Sequence, residues 1–191
     1  MELTGTITGA TWKGERTISF EFDESGATGS TTEEPTPSEP SSGGNTVTGN
    51  IPAVNTLYQG CFVLSVTNDG DNSAEVVLVS PNEVAVGKSR SQIENLDEYI
   101  NSKLSEADVE AFSDWRLPTL AELNQLHTVY TTANNLFNNN NTLADSKYYL
   151  CTLEDVVIMH KFNSTSGTTN QTNFSATDLI RPFVTIHITE E

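Results

Sequence analysis

Between Gly26 and Asn45 the chain carries Ser, Thr, Gly, Glu and Pro and, prolines aside, no apolar side chain larger than alanine. Such a stretch cannot bury enough surface to offset the entropy lost on ordering. Pro35, Pro37 and Pro40 favour an extended, semi-stiff spacer. This feature divides the chain before anything else is considered: residues 1–25 form one piece, 26–47 a linker, and 48–191 the only stretch long enough for a sizeable core.

The apolar share, 36%, is low for a globular chain, but the linker and several Asn/Thr-rich segments account for the dilution. Acidic residues number 26 against 9 Lys and Arg, a net charge of −17. That sign excludes nucleic acid as a partner, because affinity there rests on neutralising phosphates with basic side chains. It equally disfavours docking on an anionic membrane. No run approaches the roughly 18 apolar residues of a spanning helix, so direct membrane insertion is not expected. Met1 to Gly5 lacks the basic and apolar regions of a signal peptide. The Thr/Asn/Ser-rich, Lys-poor composition is nevertheless that of exported bacterial surface proteins, so Met1 is expected to lie inside a longer exported protein.

In residues 3–24, Ile18, Phe20 and Phe22 alternate with polar residues, which predicts a β-hairpin. An isolated hairpin is marginal in water, so this piece is expected to borrow a partner. The globular region opens with strands around 57–67 and 74–80, separated by a turn at Asn68–Asn72 whose Asp-Gly supplies positive φ. Ile93, Leu96, Ile100 and Leu104 predict a helix over 91–104. A second helix follows Pro118, with Thr119 and Glu122 spaced as a capping box and Leu120, Leu123 and His127 on one face. From Ala133 an Asn-rich loop is expected, then strands at 147–152, 155–162 and 180–188. Two amphipathic helices set between hairpins, without βαβ alternation, predict an α+β domain with small antiparallel sheets.

Four segments carry a family resemblance: Tyr58–Val63, Asp114–Leu123, Tyr148–Thr152 and Ile180–Phe183. Together they resemble the Lcl C-terminal domain family, common in bacterial surface proteins, which implies a C-type-lectin-like fold over roughly residues 55–190. Trp115, Arg116, Leu117, Pro118, Thr119, Glu122, Tyr149, Arg181 and Pro182 are the residues on which the resemblance rests. Two positions depart from the family pattern: Cys61 replaces a Gly, and Tyr149-Leu150-Cys151 replaces Trp-Ser-Ser. The segment Gly9–Phe22 resembles the end of a fimbrillin-type β-domain of Bacteroidales pilus components. That resemblance implies a fimbrial parent protein.

The physical reading of Asp114–Leu123 is structural. Trp115 and Leu117 anchor the segment, Pro118 keeps Leu117 extended, and Thr119 caps the helix. Arg116 is expected to pair with an acidic neighbour or to donate to loop carbonyls. Glu-Pro-Asn, Gln-Pro-Asp and Trp-Asn-Asp, the calcium-lectin motifs, are absent from the sequence. His127, His160 and His187 lack metal-ligand spacing, so neither a metal nor a cofactor is expected. Cys61 and Cys151 permit one disulfide; their apolar surroundings favour two buried, inert thiols. No nucleophile elbow or Cys-His signature is present, so an enzyme of the formylglycine-generating type is the lesser alternative. The remaining candidate is a long polar loop before the last strand, with Asn163, Thr165, Asn170, Asn173 and Phe174 as ligand-binding residues.

These observations predict a non-catalytic adhesion or recognition module at the extracellular or outer-membrane surface of a Gram-negative bacterium. Its expected partners are a glycan, an extracellular protein or fimbrial subunits. The alternative is a structural fimbrial piece acting by strand addition.

Overall fold

The computed structural model describes residues 45–190 except 71, 107–110, 139 and 163–172. The expected hairpin at 3–24 and the linker up to residue 44 lie outside the described residues. Asn45–Thr48, partly inside the expected linker, is strand β1. There follow β2 (Leu57–Tyr58), β3 (Cys61–Gly70), β4 (Ser73–Val79) and β5 (Val84–Ala85). Helices α1 (Leu96–Ser105) and α2 (Leu120–Leu136) come next, then β6 (Tyr148–Leu153), β7 (Val156–Lys161), β8 (Leu179–Ile180) and β9 (Phe183–Thr189).

This architecture corrects the expected fold class. In place of an α+β, C-type-lectin-like domain with small antiparallel sheets, the described residues form a mostly-β structure: nine strands in two sheets against two α-helices. The larger sheet runs β1-β9-β4-β3-β2 and the smaller β5-β8-β6-β7. Both are mixed, because β1 runs parallel to β9 and β6 parallel to β8. The strands that shift the balance towards sheet are short or polar. β2, β5 and β8 have two residues each, too few to show a period of two, and β1 reads Asn-Thr-Val-Thr. Each is a strand because of what it pairs with and not because of its own composition.

The central strands of the larger sheet are buried on both faces, which is why Cys61–Leu64 and Val76–Val79 read as unbroken apolar runs. One face carries Cys61, Val63, Val76, Leu78, Ile186 and Ile188, covered by Phe112 with partly buried Ile51 and Trp115. The other carries Phe62, Leu64, Val77, Val79 and Phe183 and meets Leu123, Leu126 and Ala133 of α2. Tyr149, Cys151, Ile158 and Phe162 belong to that same cluster, so α2 packs against residues of both sheets at once. The opposite face of the smaller sheet, Leu150, Met159 and Ile180, packs on Ile100 and Leu104 of α1.

Both helices differ from expectation at their ends. Arg90–Gln92 forms a 3₁₀ turn, and α1 starts only after Asn95, whose side chain accepts the Glu98 amide at 3.3 Å. Helix α2 continues past Ala133, and Asn134 there pins the following loop through two bonds to the Leu143 backbone, 2.7 and 2.8 Å. Among the described residues no helix is long and apolar enough to cross a membrane.

A buried ionic centre closes the fold. Arg181, fully buried between β8 and β9, donates to the carbonyls of Ser80 (3.2 Å), Pro81 (2.8 Å) and Asn141 (2.5 Å) and to Glu83 Oε2 (2.8 Å). Glu83 also accepts from Tyr149 Oη at 2.8 Å and from Lys147 Nζ at 2.5 Å. The guanidinium lies 5.7 Å from the Phe137 ring centroid and 6.0 Å from that of Tyr149. Burial pushes the Tyr149 phenol up, which keeps it a neutral donor to Glu83. Replacing Arg181 with Met removes the buried cation that ties Glu83 to the Ser80, Pro81 and Asn141 carbonyls and leaves Lys147 as its remaining ion-pair partner; the expected loss is about 3–5 kcal/mol in urea denaturation. Glu83→Gln alone should cost a comparable amount in the same measurement, because it leaves the fully buried Arg181 guanidinium without a carboxylate.

Candidate ligand groove

The segment Arg116–Thr119 holds the two sheets together through its backbone. Arg116 exchanges two backbone bonds with Phe183 of β9, 2.8 and 2.9 Å, while the Pro118 carbonyl accepts the Thr152 amide of β6 at 2.9 Å. Its side chains are then fixed from both directions. Arg116 grips the Glu122 carboxylate with two nitrogens, 2.8 and 2.7 Å, and donates to Thr185 Oγ1 at 2.8 Å. Glu122 completes the capping box, accepting the Thr119 amide at 2.7 Å while its own amide donates to Thr119 Oγ1 at 3.2 Å. Burial on its own would raise the Glu122 pKa; the bonds from Arg116 and Thr119 outweigh it and hold the carboxyl below its ordinary range.

Beside this segment lies an open groove of about 490 Å³. Its apolar lining is Ile100 and Leu104 from α1, Leu117, and Val157 from β7. Trp115 is half-buried against Phe112, edge to face with ring centroids 6.3 Å apart, and contributes to the groove wall. Polar groups enter from three elements: Asp97 and Asn101 on α1, Thr119 at the cap of α2, and Thr152 with Asp155 on the β6–β7 hairpin. Glu154 and Asp155 form the tip of that hairpin with φ of 48° and 63°, the left-handed pair that a tight two-residue turn requires. An apolar surface with an aromatic and several convergent polar groups is the ordinary composition of a ligand site.

The expected binding loop fares differently. Asn163, Thr165 and Asn170 lie outside the described residues. Asn173 is exposed, whereas Phe174 is only 4% exposed and packs with Val86, Ile93 and Leu117 in the core beside α1. Phe174 is therefore an anchor of the fold and is not presented to a ligand. Trp115, Arg116, Leu117 and Thr119 line the groove, Glu122 holds two of them from behind and Pro118 joins them in sequence, while Tyr149, Arg181 and Pro182 lie in or next to the buried ionic centre. Asp97, Asn101, Thr152 and Asp155 were not singled out from sequence. They come from two separate elements, α1 and the β6–β7 hairpin, and no spacing signals that they share a groove.

The histidines are spread over the fold: His127 bonds Asp145 at 2.8 Å, His160 is buried, and His187 lies 3.1 Å from Asp69. No group of three metal-ligating side chains is found among the described residues. Cys61 and Cys151 are free, and burial pushes both thiols up to about 12. No family model, curated protein or solved structure matches this chain.

Two outcomes follow from these ionisations. Ellman's reagent at neutral pH should leave both thiols unmodified in the native protein and label both in denaturant. Because their folded pKa is raised from 9.0, the stabilisation from keeping them neutral is full below pH 9 and declines as pH climbs towards about 12. Glu122 has the opposite sign: its contribution is present above the ordinary carboxyl value and fades as pH falls through the depressed one. Urea midpoints of Glu122→Gln measured between about pH 5 and pH 3 should accordingly show a flatter acid limb than the parent.

Proposed function

We propose that this chain is a non-catalytic recognition module of a cell-surface protein, of fimbrial or other adhesive type, that engages an extracellular glycan or protein. The observation that carries the reading is the groove beside Trp115: accessible, largely apolar, and ringed by amide, hydroxyl and carboxylate groups on rigid elements. The resemblance of Asp114–Leu123 to the Lcl C-terminal domain family supports it, since that family is common on bacterial surfaces. The Pro/Ser/Thr spacer supports a module held away from its attachment point. The two thiols, buried and pushed up to about 12, lack the ionisation that a cysteine nucleophile needs. The strand-addition alternative concerns residues 3–24, and no observation among the described residues favours it.

A glycan and extracellular-matrix array probed with the full chain tests the reading. Asn101→Arg fills the groove from an exposed position on α1 without touching the core. Array signals should fall by roughly tenfold or more in that variant, while its circular dichroism and urea midpoint stay at parent values. Signals of equal strength in the two proteins, or none from the parent, would sink the proposal.

A further inference from the structure

We infer that the groove beside Trp115 takes a cationic side chain, an arginine or lysine presented by an extracellular protein partner, in preference to a neutral sugar or an anion. This rests on the reading of the groove as a recognition site and names its ligand class.

Charge complementarity selects the ligand class. Three charged side chains line the groove: Asp97, Arg116 and Asp155. The charge of Arg116 is already answered, because both of its terminal nitrogens are bound to Glu122 at 2.8 and 2.7 Å. Asp97 and Asp155 are both exposed, and neither carboxylate has a hydrogen-bond or ion-pair partner among the described residues. Asp97 stands in the first turn of α1, where the helix dipole offsets part of its charge. Asp155, at the tip of the β6–β7 turn, has no such offset. Among the described residues the groove therefore carries one carboxylate offset only by a helix dipole and one with no offset, on a chain of net charge −17. Sulfated or phosphorylated ligands are repelled, and a neutral sugar leaves the charge uncompensated.

The apolar surface fits the rest of such a side chain. Lys and Arg bury their methylene stems while keeping the charged head at polar groups. Ile100, Leu104, Leu117 and Val157 offer the stem an apolar bed, and the indole of Trp115 is the aromatic that best holds a cation. At about 490 Å³ the groove is larger than one arginine or lysine side chain, so residues flanking the cation also find room, which favours a peptide over an isolated amine.

The test uses the full chain with Trp12→Phe, so that Trp115 is the single remaining indole of two. Three blocked pentapeptides are titrated against its fluorescence and its indole N–H resonance: a central arginine flanked by leucines, the norleucine analogue and the glutamate analogue. Maltotriose and N-acetyllactosamine form the glycan arm. The arginine peptide should shift Trp115 saturably, the norleucine and glutamate peptides should not, and about 0.5 M salt should weaken the effect. Asp97→Asn with Asp155→Asn, two exposed changes that leave the core intact, should weaken binding by roughly tenfold or more. An arginine peptide without effect at about millimolar concentration, or one bound equally well by the Asn variant or matched by norleucine, overturns the inference. Should the oligosaccharides shift Trp115 while the arginine peptide does not, the cationic ligand is refuted and the recognition reading survives. If no probe shifts Trp115 and the array is also empty, both fall.

Discussion

The contact between Arg181 and Glu83 is the constraint around which the rest of the domain is arranged. Arg181 leaves β8, reaches the carbonyls of Ser80 and Pro81 after β4, and binds the carbonyl of Asn141 after α2. Glu83 gathers Tyr149 and Lys147 from the start of β6. Segments around residues 80–83, 141–149 and 181 thus share one ionic cluster, in which the fully buried Arg181 is not tolerable without its acidic partner. A hydrophobic replacement of the whole set costs less than the removal of one member. That asymmetry makes the pair a strong selector of one packing, because an alternative arrangement would have to leave a buried charge unanswered.

The second organising device is the backbone of Arg116–Thr119. It lies between β9 and β6 and bonds to both, so the two sheets are held in fixed relation by main-chain bonds as well as by apolar packing around α2. The same residues border the groove. One wall of the groove is therefore held by main-chain bonds to both sheets, which keeps its groups preorganised.

Much of the local structure was legible in the sequence, and the reasons are specific. The capping box at Thr119 and Glu122 is a short-range pattern, and both of its bonds are formed. The runs Cys61–Leu64 and Val76–Val79 announce buried strands, and the burial of the two cysteines follows from those neighbours. Other features exist only through tertiary partners. β1 is polar and becomes a strand because β9 offers it an edge; Phe174, an aromatic in a polar neighbourhood, turns inward because α1 leaves a place for it. The predominance of sheet over helix was hidden for the same reason. The groove was hidden most of all, since its polar lining comes from α1, the cap of α2 and the β6–β7 hairpin.

The pairing of β1 with β9 has a mechanical consequence. Asn45 to Thr48 run parallel to Ile186 to Thr189, so the strand through which the chain enters the domain lies beside the strand with which it nearly ends. Tension reaching Asn45 along the strand axis is carried as shear across the whole β1–β9 ladder, whose bonds must yield together and not one after another as in a peeled hairpin. The Gly49 amide, bonded to the Thr189 carbonyl at 3.0 Å, extends that ladder beyond the strand itself. Asn45 is also bonded to Ser113 at 2.8, 3.3 and 2.9 Å, two residues before Trp115, so tension on the entry strand is passed directly to the segment that walls the groove.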